Sequence, residues 1–286
     1  MAAPLQLELG PHVFDAVAWG PDDGEPVLLL HGFPQCAWVW RFVQPPLADA
    51  GLRSVAPDLR GYSPGARPLE VDAYRMDLLV DDVLGIADRL GWPRFHLVGH
   101  DWGGALAWHV AGAAPDRVRT LNVVATPHPR ALAAAREAGA GPDGDDQAAR
   151  SSYIDAFRAE GAEDLLLADG GAVFRAGLEA FGLGAEDAAH YVARIDSREA
   201  ATGMLQWYRA ARPEDAAAVG PITVPTMYVY PDADPALGPT AAAGTAAEVD
   251  GPYRYEVLAG VGHWAPEQAP DQLVPLLLEH LADAGR

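Results

Sequence analysis

The chain contains no lysine; all 20 of its basic residues are arginine. Schiff-base catalysis and a Walker-type phosphate loop both need a lysine amine, so neither chemistry is open to it. Cysteine is almost as scarce. With Cys36 alone, an intramolecular disulfide and any multi-cysteine metal site are ruled out, and a reducing, cytoplasmic compartment is expected. No His-x-x-x-His pair with an adjacent acid falls on a predicted helix, so neither a metal nor a cofactor is expected. Positive charge is outweighed two to one, with 40 acidic residues and a formal net charge of -20, which disfavours nucleic acid and anionic membranes as partners. The first ten residues lack a basic segment followed by a long apolar one, and no run of about 18 apolar residues occurs anywhere. A soluble, unprocessed protein acting on a small uncharged molecule is the expectation. A homodimer is compatible with this chain, although closed symmetric dimers leave no reliable mark in a sequence.

What is present is a chain of 286 residues, half of them hydrophobic, long enough for one large domain with a sizeable insertion. Residues 13–18, 27–30, 54–56, 95–98 and 121–124 read as strands, and 73–90 as a helix. After Thr126-Pro127-His128-Pro129 the pattern turns helical and alanine-rich until about Glu214, with 138–146 as a loop. Strands resume at 226–230 and 253–258, and an amphipathic helix at 272–281 closes the chain. This alternation predicts an α/β protein with a mostly parallel sheet flanked by helices. Residues 1–129 and 216–286 would form that core, and 130–215 a helical cap inserted over the catalytic end of the strands.

The chemistry centres on Val98-Gly99-His100-Asp101-Trp102-Gly103-Gly104, which follows the apolar run 95–98 and leads into the helical segment beginning at Ala105. A strand ending in G-x-nucleophile-x-G before a helix is the nucleophile elbow of the α/β-hydrolase fold. Here the nucleophile position holds aspartate. A carboxylate with a reference pKa of about 3.9 is already ionised at neutral pH and needs no base to activate it. It is a poor nucleophile toward amides, but it can open an sp³ carbon carrying a strained or good leaving group and form an alkyl ester. Epoxides and haloalkanes are the natural candidates.

Downstream, the fold demands an acid and then a histidine. His263 lies in Ala259-Gly260-Val261-Gly262-His263-Trp264, directly after the last strand, where it would draw a proton from the water that attacks the ester. The acid follows the strand 226–230 in Pro231-Asp232-Ala233-Asp234-Pro235, and spacing does not choose between Asp232 and Asp234. In His31-Gly32-Phe33-Pro34 the glycine permits a sharp turn, so the amides of Phe33 and Trp102 would form an oxyanion hole. His31 itself reads as a structural residue.

Together His31-Gly32-Phe33-Pro34, Asp58-Leu59-Arg60-Gly61-Tyr62, the aspartate elbow and Gly260-Val261-Gly262-His263-Trp264 resemble the α/β-hydrolase epoxide hydrolases over nearly the whole chain. Tyr62-Ser63-Pro64-Gly65 departs from the family pattern without touching a catalytic role. The resemblance implies Asp234 as the triad acid. It also implies two cap tyrosines that bind the epoxide oxygen: Tyr208, in Gly203-Met204-Leu205-Gln206-Trp207-Tyr208-Arg209, and Tyr153, in a shorter match at Ser151-Ser152-Tyr153-Ile154-Asp155-Ala156-Phe157. Trp102 and Trp207 are candidate substrate contacts. A haloalkane dehalogenase is the alternative; the asparagine that many of them use as second halide donor is replaced here by Phe33. A ligand-binding protein that kept the fold and lost turnover is the third reading.

Overall fold

The computed structural model describes residues 2–141 and 144–283; positions 142 and 143 of the expected loop at 138–146 lie outside the described residues. Eight strands form one sheet in the order β1-β2-β4-β3-β5-β6-β7-β8. They are β1 (Ala3–Leu9), β2 (His12–Trp19), β3 (Glu25–Leu30), β4 (Leu52–Pro57), β5 (Phe95–His100), β6 (Val118–Val124), β7 (Thr226–Pro231) and β8 (Tyr253–Leu258). The β1–β2 and β2–β4 pairs are antiparallel and the rest are parallel. Strand β1 goes beyond the sequence expectation: Leu5, Leu7 and Leu9 alternate with polar residues at the sheet edge, and only Leu7 of that strand is fully buried.

The sheet is the middle of three layers, and β3 shows why. Along it, Leu28 and Leu30 enter one core while Val27 and Leu29 enter the other, as the two-residue period of a strand requires. The first core is closed by the helices Met76–Arg89 and Trp102–Ala113 through Leu79, Val83, Ile86, Leu106 and Trp108. The second is closed by Pro270–Asp283 and Gln44–Asp49 through Leu273, Leu277, Leu281 and Leu47. A strand covered on both faces reads as an unbroken apolar run, which is how β5 and β7 come to be buried at every position.

Between β6 and β7 the described residues hold helices and no strand, from Pro129–Ala138 to Pro213–Ala218. This segment is fixed to the core by directional contacts. Trp207 donates its indole N–H to the Arg60 carbonyl at 2.8 Å, Arg41 pairs with Asp187 at 2.6 Å, and Arg194 pairs with Asp58. At Gly61, φ is +88° and an added Cβ would stand 2.4 Å from the Gly203 carbonyl oxygen, so the backbone of the core touches that of the helical segment between β6 and β7. Among the described residues no helix is long and apolar enough to cross a membrane.

Candidate active site

Asp101 sits at the join of β5 and the helix Trp102–Ala113 with φ 52° and ψ -122°. For a residue with a Cβ this backbone is strained by about 1–3 kcal/mol, a cost carried by the surrounding packing. The neighbours are small because they must be. A Cβ on Gly103 would lie 2.2 Å from the Leu30 carbonyl oxygen, and one on Gly32 would lie 2.2 Å from Asp101 Oδ1. Close approach of the β3 loop to the elbow thus sets the aspartate carboxylate against the backbone of Phe33.

The two carboxylate oxygens of Asp101 meet different partners. Oδ1 accepts a hydrogen bond from the Phe33 amide at 2.7 Å, while Oδ2 lies 3.5 Å from His263 Nε2. On its other side, His263 Nδ1 is 2.7 Å from Asp234 Oδ2. Asp234 is 2 % exposed, and its Oδ1 accepts from the amides of Ala236 and Leu237 at 2.7 and 3.1 Å. Asp232 faces away from this group: it is exposed and takes the Gly260 amide at 2.6 Å. Trp102 opens its helix, where a backbone N–H has no acceptor within the helix.

Electrostatics follow from that geometry. Burial alone would depress His263, but the Asp234 and Asp101 carboxylates outweigh it and raise the imidazole to about 10. Burial likewise works against the Asp101 carboxylate, and the hydrogen bond and charge of His263 prevail to hold its pKa below the usual carboxylate value. The resting pair is therefore carboxylate and imidazolium.

Tyr153 and Tyr208, from the helices Tyr153–Arg158 and Arg198–Ala210, stand together over the elbow with ring centroids 6.5 Å apart. Tyr208 packs edge-on against both Phe33 and Trp102 at 5.2 Å. Burial raises both phenols, helped by the neighbouring carboxylate of Asp101; the Trp102 side chain, packed edge-on against Tyr208, pulls that phenol the other way. Both stay protonated at neutral pH. Two cavities of about 390 and 230 Å³ meet here, sharing Asp101, Tyr153, Tyr208, Ala236 and His263. The sequence-expected residues Asp101, Asp234, His263, Phe33, Trp102, Tyr153 and Tyr208 are thus gathered in one place. Trp207 is not. One position from Tyr208 on a helix turns it some 100° away, so it is 2 % exposed, binds Arg60 and lines neither cavity.

Residues 25–270 match the family described as alpha/beta hydrolase fold. The chain belongs to it. Epoxide hydrolase A of Mycobacterium tuberculosis is 33% identical to this α/β-hydrolase across 91% of each chain. Among solved structures, an epoxide hydrolase from metagenomes of hot environments superposes with a TM-score of 0.84 at 29% identity, covering 98% of this chain and 99% of that one. Epoxide Hydrolase A from Mycobacterium thermoresistibile gives 0.83 at 28%, covering 99% and 98%.

Sequence reasoning missed the walls. The smaller cavity of this α/β-hydrolase is lined by Phe33, Phe157, Phe174, Leu178, Phe181 and Trp264. Helical spacing carried a signal for them: Phe157 is four residues after Tyr153, and Phe174, Leu178 and Phe181 fall four and three apart. Because the helices between β6 and β7 are short, their register could not be anchored without the structure.

Proposed function

We propose that this α/β-hydrolase opens epoxides to vicinal diols through an alkyl ester on Asp101. The observation that carries the reading is the asymmetry of the Asp101 carboxylate, with Oδ1 held by the Phe33 amide at 2.7 Å and Oδ2 left with only the looser 3.5 Å contact to His263 Nε2, in a residue that lines both cavities. The names of its relatives support the same substrate class. Oδ2 attacks an epoxide carbon, and the ring oxygen takes a proton from a phenol, Tyr153 or Tyr208, while the other phenol donates a hydrogen bond. Oδ1 becomes the ester carbonyl oxygen. It is already seated at the Phe33 amide, which with the Trp102 amide receives the oxyanion when water adds.

The protons balance without outside help. Esterification removes the negative charge of Asp101, one of the two carboxylates that raise His263, so the imidazolium yields its proton and the phenol is restored. Neutral His263, oriented by Asp234, then takes a proton from water as the hydroxide adds to the ester. Collapse expels the diol oxygen, which picks up the remaining water proton, and the enzyme returns to carboxylate and imidazolium. No cofactor enters.

A dehalogenase would need two donors converging on a halide. The indole of Trp207, the second tryptophan expected at the substrate, is committed to the Arg60 carbonyl and so is not available as such a donor, which argues for the epoxide. The test is incubation in ¹⁸O-water with styrene oxide and, separately, 1-bromobutane. Diol formation, with ¹⁸O entering the Asp101 peptide over repeated turnovers, is the expected result; bromide release without diol from styrene oxide would overturn the reading.

A further inference from the structure

The chemistry above leaves one buried acid unused. Glu267 lies on the short helix Ala265–Gln268 just beyond the histidine loop. Its Oε1 accepts hydrogen bonds from Gln35 Nε2 at 2.8 Å and from the Tyr191 hydroxyl at 2.9 Å, while its buried Oε2 has no partner among the described residues. The chain of contacts continues through Gln35, whose Oε1 accepts the Gly32 amide at 3.1 Å and lies 2.9 Å from His100 Nδ1. His100 Nε2 in turn reaches the His263 carbonyl at 2.8 Å. One branch therefore ends beside the Phe33 amide, and the other on the backbone of the catalytic histidine.

Counting donors shows that this chain needs a proton. A backbone amide only donates and a backbone carbonyl only accepts, so Gln35 presents its oxygen to Gly32, and His100 carries a proton on Nε2. His100 Nδ1 then also faces oxygen. A second proton on the ring satisfies that contact, with the Glu267 carboxylate as counter-charge across the Gln35 amide. Alternatively the proton sits on Glu267 and the amide turns over, its nitrogen serving His100 and its oxygen serving the acid, at the expense of Gly32. Without the proton, either orientation of Gln35 sets two lone pairs against each other. Gln35 and His100 are wholly buried, so water cannot relieve the conflict.

We propose that Glu267 is a positioning residue for hydrolysis of the ester: the proton it shares with His100 keeps the oxyanion loop and the histidine loop in register, and loss of that proton slows the step. The inference rests on the epoxide reading above. Burial raises the Glu267 acid to about 7 against the hydrogen bonds of Gln35 and Tyr191, and burial pulls His100 down to about 4. Asp187 raises Glu267 further and Arg41 lowers it. Tyr191, raised by burial, and Cys36, raised by burial to about 12, stay neutral beside it. His190, lowered by burial, meets Cys36 rather than Glu267.

The experiment measures ester formation and ester breakdown separately, in single turnovers of styrene oxide between pH 6 and 9, with the intact protein and two variants. In the parent, breakdown falls several-fold on the alkaline side with a midpoint near 7. Glu267→Gln, which cannot lose a proton there, removes that limb. Tyr191→Phe, which takes one hydrogen bond from the carboxylate, moves it up by about one pH unit. Ester formation and KM change less than about three-fold in both, since neither residue touches the epoxide. An alkaline limb that survives in Glu267→Gln, or two half-reactions that fall together, overturns the proposal. A parent protein that forms neither ester nor diol instead removes the epoxide reading on which it stands.

Discussion

Asp234→Asn separates the two halves of the proposed reaction. The asparagine carbonyl can still accept the Ala236 and Leu237 amides that Asp234 Oδ1 now holds at 2.7 and 3.1 Å, so the loop keeps its shape. What changes is the 2.7 Å contact to His263 Nδ1. An amide NH₂ there donates instead of accepting, so the neutral ring is driven to carry its proton on Nε2, the nitrogen that must take a proton from water. In a serine triad this same substitution costs about 10⁴-fold by imposing the wrong tautomer, and a similar loss is expected in ester breakdown here. Ester formation does not use the imidazole as a base, and should fall by no more than about ten-fold. Rapid mixing with styrene oxide, followed by acid quench and mass analysis of the Asp101 peptide, reads both steps. The expected result is one epoxide consumed per site, stoichiometric ester, and almost no diol. Equal losses in the two steps, or a diol rate within ten-fold of the parent, would refute the assignment. Asp232→Asn serves as control, because Asp232 holds only the Gly260 amide; its rates should match the parent.

Other expectations follow from the same geometry. Tyr153→Phe and Tyr208→Phe should each slow ester formation by about 10²-fold, with the double variant falling short of the product of the two, because the phenols act on one oxygen; burst kinetics would show this, and full additivity would contradict it. Trp207→Phe removes the 2.8 Å bond to the Arg60 carbonyl and should lower stability by about 2 kcal/mol in urea titrations while leaving KM within three-fold, whereas a large KM change would return Trp207 to the substrate. Acidification should destabilise the protein from about pH 6. Burial is the largest cause holding His31 and His128 at about 3 and His100, His109 and His280 at about 4, so their protons bind the unfolded chain first. Stability is intact above 6.5 and declines toward those values by up to about 1.4 kcal/mol per pH unit per histidine. His263 runs the other way, its contribution present below 6.5 and lost on rising through about 10. A urea midpoint unchanged between pH 7 and 5 would contradict this account.

Most of the core architecture was legible because its signals are local. Runs that are mostly apolar and wholly buried mark β5 and β7, and the glycines around Asp101 mark a turn that no bulkier residues could make. The candidate triad was nearly legible too, since each member sits at a strand end. Spacing did not separate Asp232 from Asp234, two-residue neighbours in one turn; the family resemblance pointed to Asp234, and in three dimensions the direction of the carboxylates distinguishes them. Trp207 misled for a related reason: on a helix of uncertain register, adjacent aromatics look equally placed, yet one faces the cavity and the other the core. The phenylalanine wall comes from the loop after β3 and from several short helices between β6 and β7, which converge only after folding. Glu267, Gln35 and His100 were silent because their relation is a matter of donors and acceptors across 232 residues of chain.

The contact between Gly61 and Gly203 bears on how such a site can be re-sized. With backbone against backbone at the seam, and the Tyr74 ring packed beside both glycines, the helical segment has no room to slide over the core. Room for a bulkier epoxide then has to come from trimming residues such as Phe174 or Phe181 inside the chamber. A side chain added at the seam itself would instead drive the two backbones apart.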